Sequence, residues 1–219
     1  MSADHGRPAA RGYHSPRRAE QAAATRTAVL AAARELFVAQ GYAGTTVAQI
    51  ARHARVAVDT VYAAVGRKPA LLREVLETAL SGTDVPVPGR QRDYVARVRA
   101  AASAREKITL YVTGLTEVQS RLAPVFLALR DAGATDPDSA ALWQEIAQRR
   151  ARNMLEFAAD LRSTGELRDD LADRDVADII WSMNSSEYWV LLVGERGWST
   201  DRFAAYLIDA WTRLLLSRP

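Results

Sequence analysis

Apolar residues at Val29, Leu30, Ala33, Leu36 and Phe37 recur in steps of three and four, the spacing of one face of an α-helix. The pattern predicts a helix from about Arg18 that closes at Gly41, a residue suited to a left-handed helix end. Thr45-Thr46 follow, and a hydroxyl there can cap a short second helix with Val47, Ile50, Ala51 and Ala54 on its inner face. A brief turn at Arg55-Val56-Ala57 leads to a third helix from Val58 to Val65, which Gly66 breaks. A fourth helix starts near Lys68-Pro69, where proline forfeits no intrahelical donor, and turns Leu71, Leu72, Val75, Leu76 and Leu80 inward.

Residues 81–92, SGTDVPVPGRQR, read as a linker. Beyond it the period stays helical, with helices predicted at 92–101, 104–120, 122–132, 138–163, 172–194 and 200–216. Asp136-Pro137, Gly165, Gly194 and Gly197 fall between them. No strand pair with a turn signal and no internal repeat occurs, so the expected fold is all-α. Residues 1–18 are rich in Gly, Pro, Ser and Arg without periodicity and read as a disordered basic tail. The expected division is residues 19–66 as a helix-turn-helix domain, 67–91 as connecting helix and linker, and 92–219 as a second helical domain.

Composition narrows the chemistry. The chain has 219 residues and no cysteine, which removes disulfides, a thiolate nucleophile and cysteine-held metals. Of its histidines, His5 and His14 lie in the tail and only His53 lies in a helix, so no histidine metal site is expected. No nucleophile–base pair or phosphate loop stands out; neither an enzyme, a metal nor a cofactor is expected. No stretch reaches 18 apolar residues and no apolar run follows the N-terminal charges, so a cytoplasmic location is expected. Charge is uneven. Residues 1–68 hold ten basic against four acidic side chains, while the whole chain holds 29 against 26. A basic first third on an acidic remainder suits a module that faces nucleic acid.

Two short helices joined by a tight turn form a helix-turn-helix, the second helix sized for a major groove. The run from Val29 to Leu72, VLAAARELFVAQGYAGTTVAQIARHARVAVDTVYAAVGRKPALL, resembles the DNA-binding domain of TetR-family transcriptional regulators. The resemblance lies in the AA-x-x-LF core, Gly41-Tyr42, Thr45-Thr46-Val47, Ile50-Ala51, Thr60-Val61-Tyr62, and Lys68 with Leu71-Leu72. The rest of the chain resembles the family only in being helical and of fitting length.

On that resemblance, double-stranded DNA is the expected partner, through Thr45, Thr46, Arg55, Ala57, Val58, Asp59, Thr60, Tyr62, Ala63 and Lys68. Thr46 can cap its helix and set backbone N–H groups against a phosphate. The Thr60 and Tyr62 hydroxyls can reach the DNA backbone; the Tyr62 ring can equally be core. Lys68, a cation at a helix start, is electrostatically misplaced unless an outside anion joins it. Val58, Ala57 and Ala63 suit thymine methyl groups, Asp59 a cytosine amine or its own helix start, and Arg55 a guanine or a phosphate. Arg17 and Arg18 stand where they could enter a minor groove or meet phosphates, or equally solvate a tail. The chain departs from the family at three points. Arg55 stands where a turn glycine is usual, Ala57 where a serine N-cap is usual, and Val65 where an aromatic is usual.

The resemblance also implies that the second domain binds an effector and dimerises. One helical stripe reads Trp143, Ala147, Arg150, Met154, Phe157, Leu161, and another Val176, Ile180, Met183, Glu187, Val190; Arg150 and Glu187 interrupt apolar faces. With Tyr111, Leu115, Phe126, Trp181, Asn184 and Tyr188 they are the candidate lining for a small apolar or aromatic effector. The competing reading makes the aromatics core, with Arg150 and Glu187 ion-paired or snorkelling to water. The final helix is apolar over a wide arc, with Phe203, Leu207, Ala210 and Leu214 broadened by Tyr206, Trp211 and Leu215. Leu191, Phe203, Leu207, Trp211 and Leu214 are the candidate homodimer interface.

The expectation is a sequence-specific, ligand-responsive repressor acting as a homodimer on a pseudo-palindromic operator. Two alternatives stand beside it. One is a small-molecule-binding or protein-docking module whose DNA-reading face has decayed. The other is an activator without effector.

Overall fold

The computed structural model describes residues 16–83, 87 and 91–217. Ten α-helices follow one another among them, and the only β pairing is an isolated bridge between Leu167 and Leu216. The tail expected at 1–18 lies outside the described residues as far as residue 15. Pro16, Arg17 and Arg18 already belong to the first helix, α1 (Pro16–Gly44). Gly41 takes φ 73° and kinks α1, so the predicted stop becomes a bend that folds Tyr42 back against Phe37, ring centroids 5.6 Å apart.

Short helices α2 (Val47–His53) and α3 (Val58–Ala64) and the longer α4 (Lys68–Ser81) follow where the apolar spacing places them. Then come α5 (Asp93–Ala100), α6 (Ala104–Gly133) and α7 (Pro137–Arg162). The helices predicted separately at 104–120 and 122–132 are one. Pro124 lies inside α6 and removes a backbone donor. The apolar stripe continues on both sides of it, through Val118, Leu122, Val125, Phe126 and Leu129, all buried, and this common burial keeps the helix whole.

The helix predicted over 172–194 is the opposite case. It divides into α8 (Asp173–Met183), α9 (Ser186–Trp189) and a π-helical turn, Val190–Glu195. The break is polar. Ser185 accepts from the Tyr188 N–H and starts α9 as its N-cap. Asn184 is buried, its carbonyl accepts from Gln119 Nε2 at 2.7 Å, and Ser186 Oγ donates to Gln119 Oε1 at 2.9 Å. The last helix is α10 (Thr200–Leu215).

The apolar residues form two cores. The first joins α1–α4 to one end of α6 and α7, through Val118, Leu122, Phe126, Leu142 and Ile146. The second joins α5 and α8–α10 to the other end of those two helices. At about 1.5 Å per residue, α6 and α7 are each roughly 40 Å long and run through both cores. The helix-turn-helix is therefore packed on the same long helices that build the second domain.

Candidate nucleic-acid interface and effector cavity

The start of α2 is a reciprocal cap. The Gln49 N–H donates to Thr46 Oγ1 at 3.2 Å, and the Thr46 N–H donates to Gln49 Oε1 at 2.7 Å. Thr45 points the other way. It is fully buried and its hydroxyl donates to the Gly41 and Leu36 carbonyls, at 2.8 and 3.2 Å. The expectation that Thr45 meets DNA is corrected on that ground: its side chain clamps the α1–α2 corner.

The turn between α2 and α3 is set by Arg55, which adopts φ 57° and is the only non-glycine with positive φ among the described residues. A left-handed conformation costs a side-chain-bearing residue about 1–2 kcal/mol. The positive φ expected of a glycine at this turn is adopted here by arginine. Ala57 is the N-cap of α3 and offers no side-chain acceptor. Within α3 only Val61 is buried. Arg55, Ala57, Val58, Asp59, Tyr62 and Ala63 are all exposed, with Thr60 half-buried. The core reading of Tyr62 is set aside, since 47% of the residue is exposed. Arg26 fastens this helix: it donates to the Ala64 carbonyl at 3.2 Å and to Glu74 on α4 at 2.7 Å.

Tyr62 and Lys68 border one shallow surface groove, with Val47, Gly66, Arg67 and Pro69. Lys68 Nζ sits 4.1 Å from the Tyr42 ring centroid, and partial burial lowers its pKa. Arg67, which the pattern reading passed over, supplies a second cation at the α4 start. An adjacent groove is lined by Arg18, Gln21, Thr25, Thr60 and Ala63. One side of the domain thus presents cations, hydroxyls and small apolar groups beside a short exposed helix, the chemistry that phosphate and major-groove edges require.

In the second domain a cavity of about 110 Å³ lies between α5, α6 and α7. Tyr111, Met154 and Phe157 line it, as expected. Tyr111 stacks on Phe157 at 4.5 Å. Asn184 stands behind, donating through Nδ2 to the Tyr111 hydroxyl at 2.9 Å. Arg150 donates to Asn184 Oδ1 at 2.6 Å and to the Trp181 carbonyl at 2.9 Å, with its guanidinium 5.0 Å from the Trp181 ring centroid. Burial lowers the Arg150 pKa and raises that of the Tyr111 phenol. Leu115 belongs to the surrounding core.

Other expected lining residues are elsewhere. Phe126 and Trp143 stack at 4.5 Å in the first core. Tyr188 turns to α10, its hydroxyl 3.2 Å from that of Tyr206. Glu187 does not line the cavity, and its Oε2 is buried without a donor. Conversely, Arg92, Tyr94, Val95, Val98, Arg99, Asn153, Glu156 and Asp160 line the cavity without having been singled out. The one sequence signal for them was Tyr94 and Val98, four residues apart on a short helix.

The interface expectation needs the same correction. Phe203, Leu207 and Trp211 are fully buried within their own chain, packed on the second core. They cannot also meet a partner. Of the five, only Leu191 and Leu214 are exposed, at 48% and 42%, and Tyr206 joins them at 40%.

Residues 29–75 match the family model for bacterial regulatory proteins of the tetR family. No curated protein matches the chain in sequence. Among solved structures, NalD of Pseudomonas aeruginosa, described as the secondary repressor of the MexAB-OprM multidrug efflux pump, is 20% identical with a TM-score of 0.68, covering 90% of this chain and 98% of its own. A protein of Saccharomonospora viridis, described as a transcriptional regulator and solved in complex with choline, is 20% identical with a TM-score of 0.67, over 89% and 99%. A Rhodococcus sp. protein described as of the TetR family is 19% identical with a TM-score of 0.66, over 88% and 98%. The chain carries a TetR-type helix-turn-helix, and nearly its whole length has the fold of these regulators.

Proposed function

We propose that the protein is a homodimeric repressor that binds a pseudo-palindromic operator and is released by a small effector. The observation that carries this reading is the outer face of α3, which leaves Val58, Asp59, Tyr62 and Ala63 exposed behind an exposed Arg55. Thr46, Thr60, Tyr62 and Lys68 meet phosphates and set the register. Arg55, Ala57, Val58, Asp59 and Ala63 read base edges. Arg17 and Arg18 reach along the adjoining minor groove. The dimer forms across the exposed side of α10 and the π-helical turn, through Leu191, Tyr206 and Leu214. Effector in the cavity favours one spacing of the two recognition helices, and α4 transmits the choice. The repressor and effector parts draw support from the NalD and choline-bound relatives of the fold.

Selection from genomic fragments at near-physiological salt tests the reading. The expected result is a pseudo-palindromic site bound far more tightly than random DNA. Tyr62→Phe and Lys68→Ala should weaken binding to all sequences, and Lys68→Ala should also lower the salt slope by about one. An unchanged slope removes the phosphate role of Lys68, and unchanged affinity removes that of Tyr62. A second reading, a ligand-binding module with a worn DNA face, is favoured by the left-handed Arg55 and the uncapped Ala57. Weak, sequence-blind binding would establish it instead.

A further inference from the structure

We propose that the cavity between α5, α6 and α7 takes a small planar carboxylate, with Arg92 and Tyr111 as its hydrogen-bond donors. The proposal rests on the effector reading above and names the chemical class of that effector.

The four charged lining residues sum to zero, and the buried Lys107 beside Asp160 leaves one cation over. Arg99 lies 3.9 Å from Glu156, and Asp160 accepts from Lys107 at 3.0 Å, so three of the four charged lining residues have a counter-ion. Arg92 has none. Its Nε is shielded from solvent and makes no hydrogen bond. A buried donor without an acceptor is costly, and more so when it carries charge. Arg92 lines the cavity, so an anion there gives its guanidinium a partner.

Tyr111 adds a second donor. Burial raises its pKa, so the phenol keeps its proton at any ordinary pH. Its oxygen already accepts from Asn184, while its O–H has only the Met154 thioether, at 3.5 Å. Sulfur is a weak acceptor. A carboxylate oxygen is a far better one and makes a short, charge-assisted bond. Two donors that line one cavity without a strong acceptor favour an anion, and the lining carboxylates Glu156 and Asp160 are already engaged by Arg99 and Lys107.

Size and walls set the rest of the ligand. A dry cavity of about 150 Å³ takes up benzene in another protein, so about 110 Å³ limits the ligand body to at most one ring. Tyr94, Tyr111 and Phe157 supply aromatic walls; Tyr94 meets Tyr111 edge-on at 6.2 Å. Flat π systems pack on such walls by offset stacking or edge contact.

Calorimetric titration of the full chain with benzoate, benzamide and benzyltrimethylammonium tests this. Benzoate should bind, benzamide at least about tenfold more weakly, and the ammonium not at all. Arg92→Gln, at a half-buried surface position, should weaken benzoate about tenfold or more while leaving benzamide unchanged. Tyr111→Phe should weaken benzoate as well. Equal affinity for benzoate and benzamide, tighter binding of the ammonium, an indifferent Arg92→Gln variant, or no benzoate binding each overturns the proposal. Operator affinity is measured alongside. Benzoate binding that leaves operator affinity unchanged removes the effector reading but keeps the ligand class. No benzoate binding with intact operator binding removes the ligand class alone.

Discussion

Arg73 on α4 donates two hydrogen bonds to the Glu145 carboxylate on α7, at 2.9 and 2.8 Å. A second pair, Arg149 with Glu77 at 2.7 Å, joins the same two helices in the opposite sense. α4 follows directly on the helix-turn-helix, and α7 walls the cavity. These partly exposed ion pairs are thus fixed points between the two regions.

Exchanging the Arg73–Glu145 charges singly should change stability little, since such partly exposed pairs contribute about 0–1 kcal/mol. The coupling between effector and operator should fall. A double-mutant cycle on effector-dependent operator affinity checks this; an additive cycle removes the pair from the path. Acid should act alike. Hydrogen bonding to Arg73 holds the Glu145 carboxyl below its ordinary value, so its contribution is present above the unfolded pKa and is lost as pH falls through the folded one.

Trp211 is fully buried against the second core, its ring 5.9 Å from that of Tyr111. Trp211→Ala should destabilise the fold by about 3–5 kcal/mol, read by chemical denaturation. Tyr206→Arg with Leu214→Arg, on the exposed side of the same helix, should instead leave the fold intact and yield monomers on light scattering. A persisting dimer places the interface elsewhere.

Gly114 on α6 lies under the Tyr94 ring. A Cβ built there would stand 2.5 Å from Tyr94 Cγ and Cδ2. Gly114→Ala should push Tyr94 and α5 off α6, at a cost of about 1–3 kcal/mol. Thermal unfolding and cavity-ligand affinity should fall together. Unchanged affinity would detach Tyr94 from the ligand wall.

At Arg55 the strain and the chemistry separate. Arg55→Gly should stabilise the fold by about 1 kcal/mol by relieving the left-handed backbone. Arg55→Ala should give no such gain. Both remove the guanidinium, so both should alter site preference in binding selections; a uniform loss over all sites makes Arg55 a phosphate contact.

The helix-turn-helix was legible because its determinants are local. The apolar spacing of Val29, Leu30, Ala33 and Phe37, the Thr46 cap and the positive φ at position 55 are properties of a few neighbouring residues. The second domain was legible only as helices. Trp143 and Phe157 share a helix and an apolar pattern, yet α7 passes through two cores and puts one in each.

The sequence by itself determined the all-α class, the recognition helix and the basic face, since periodicity and capping act within a turn or two of chain. The tertiary structure alone decided three things. It kept α6 whole across Pro124, because burial on both sides outweighs one lost hydrogen bond. It broke the helix at Asn184, because Arg150, Gln119 and Tyr111 from other helices claim that residue's polar groups. And it turned Phe203, Leu207 and Trp211 inward while opening a cavity at Arg92, because which face of a helix is covered depends on what packs against it.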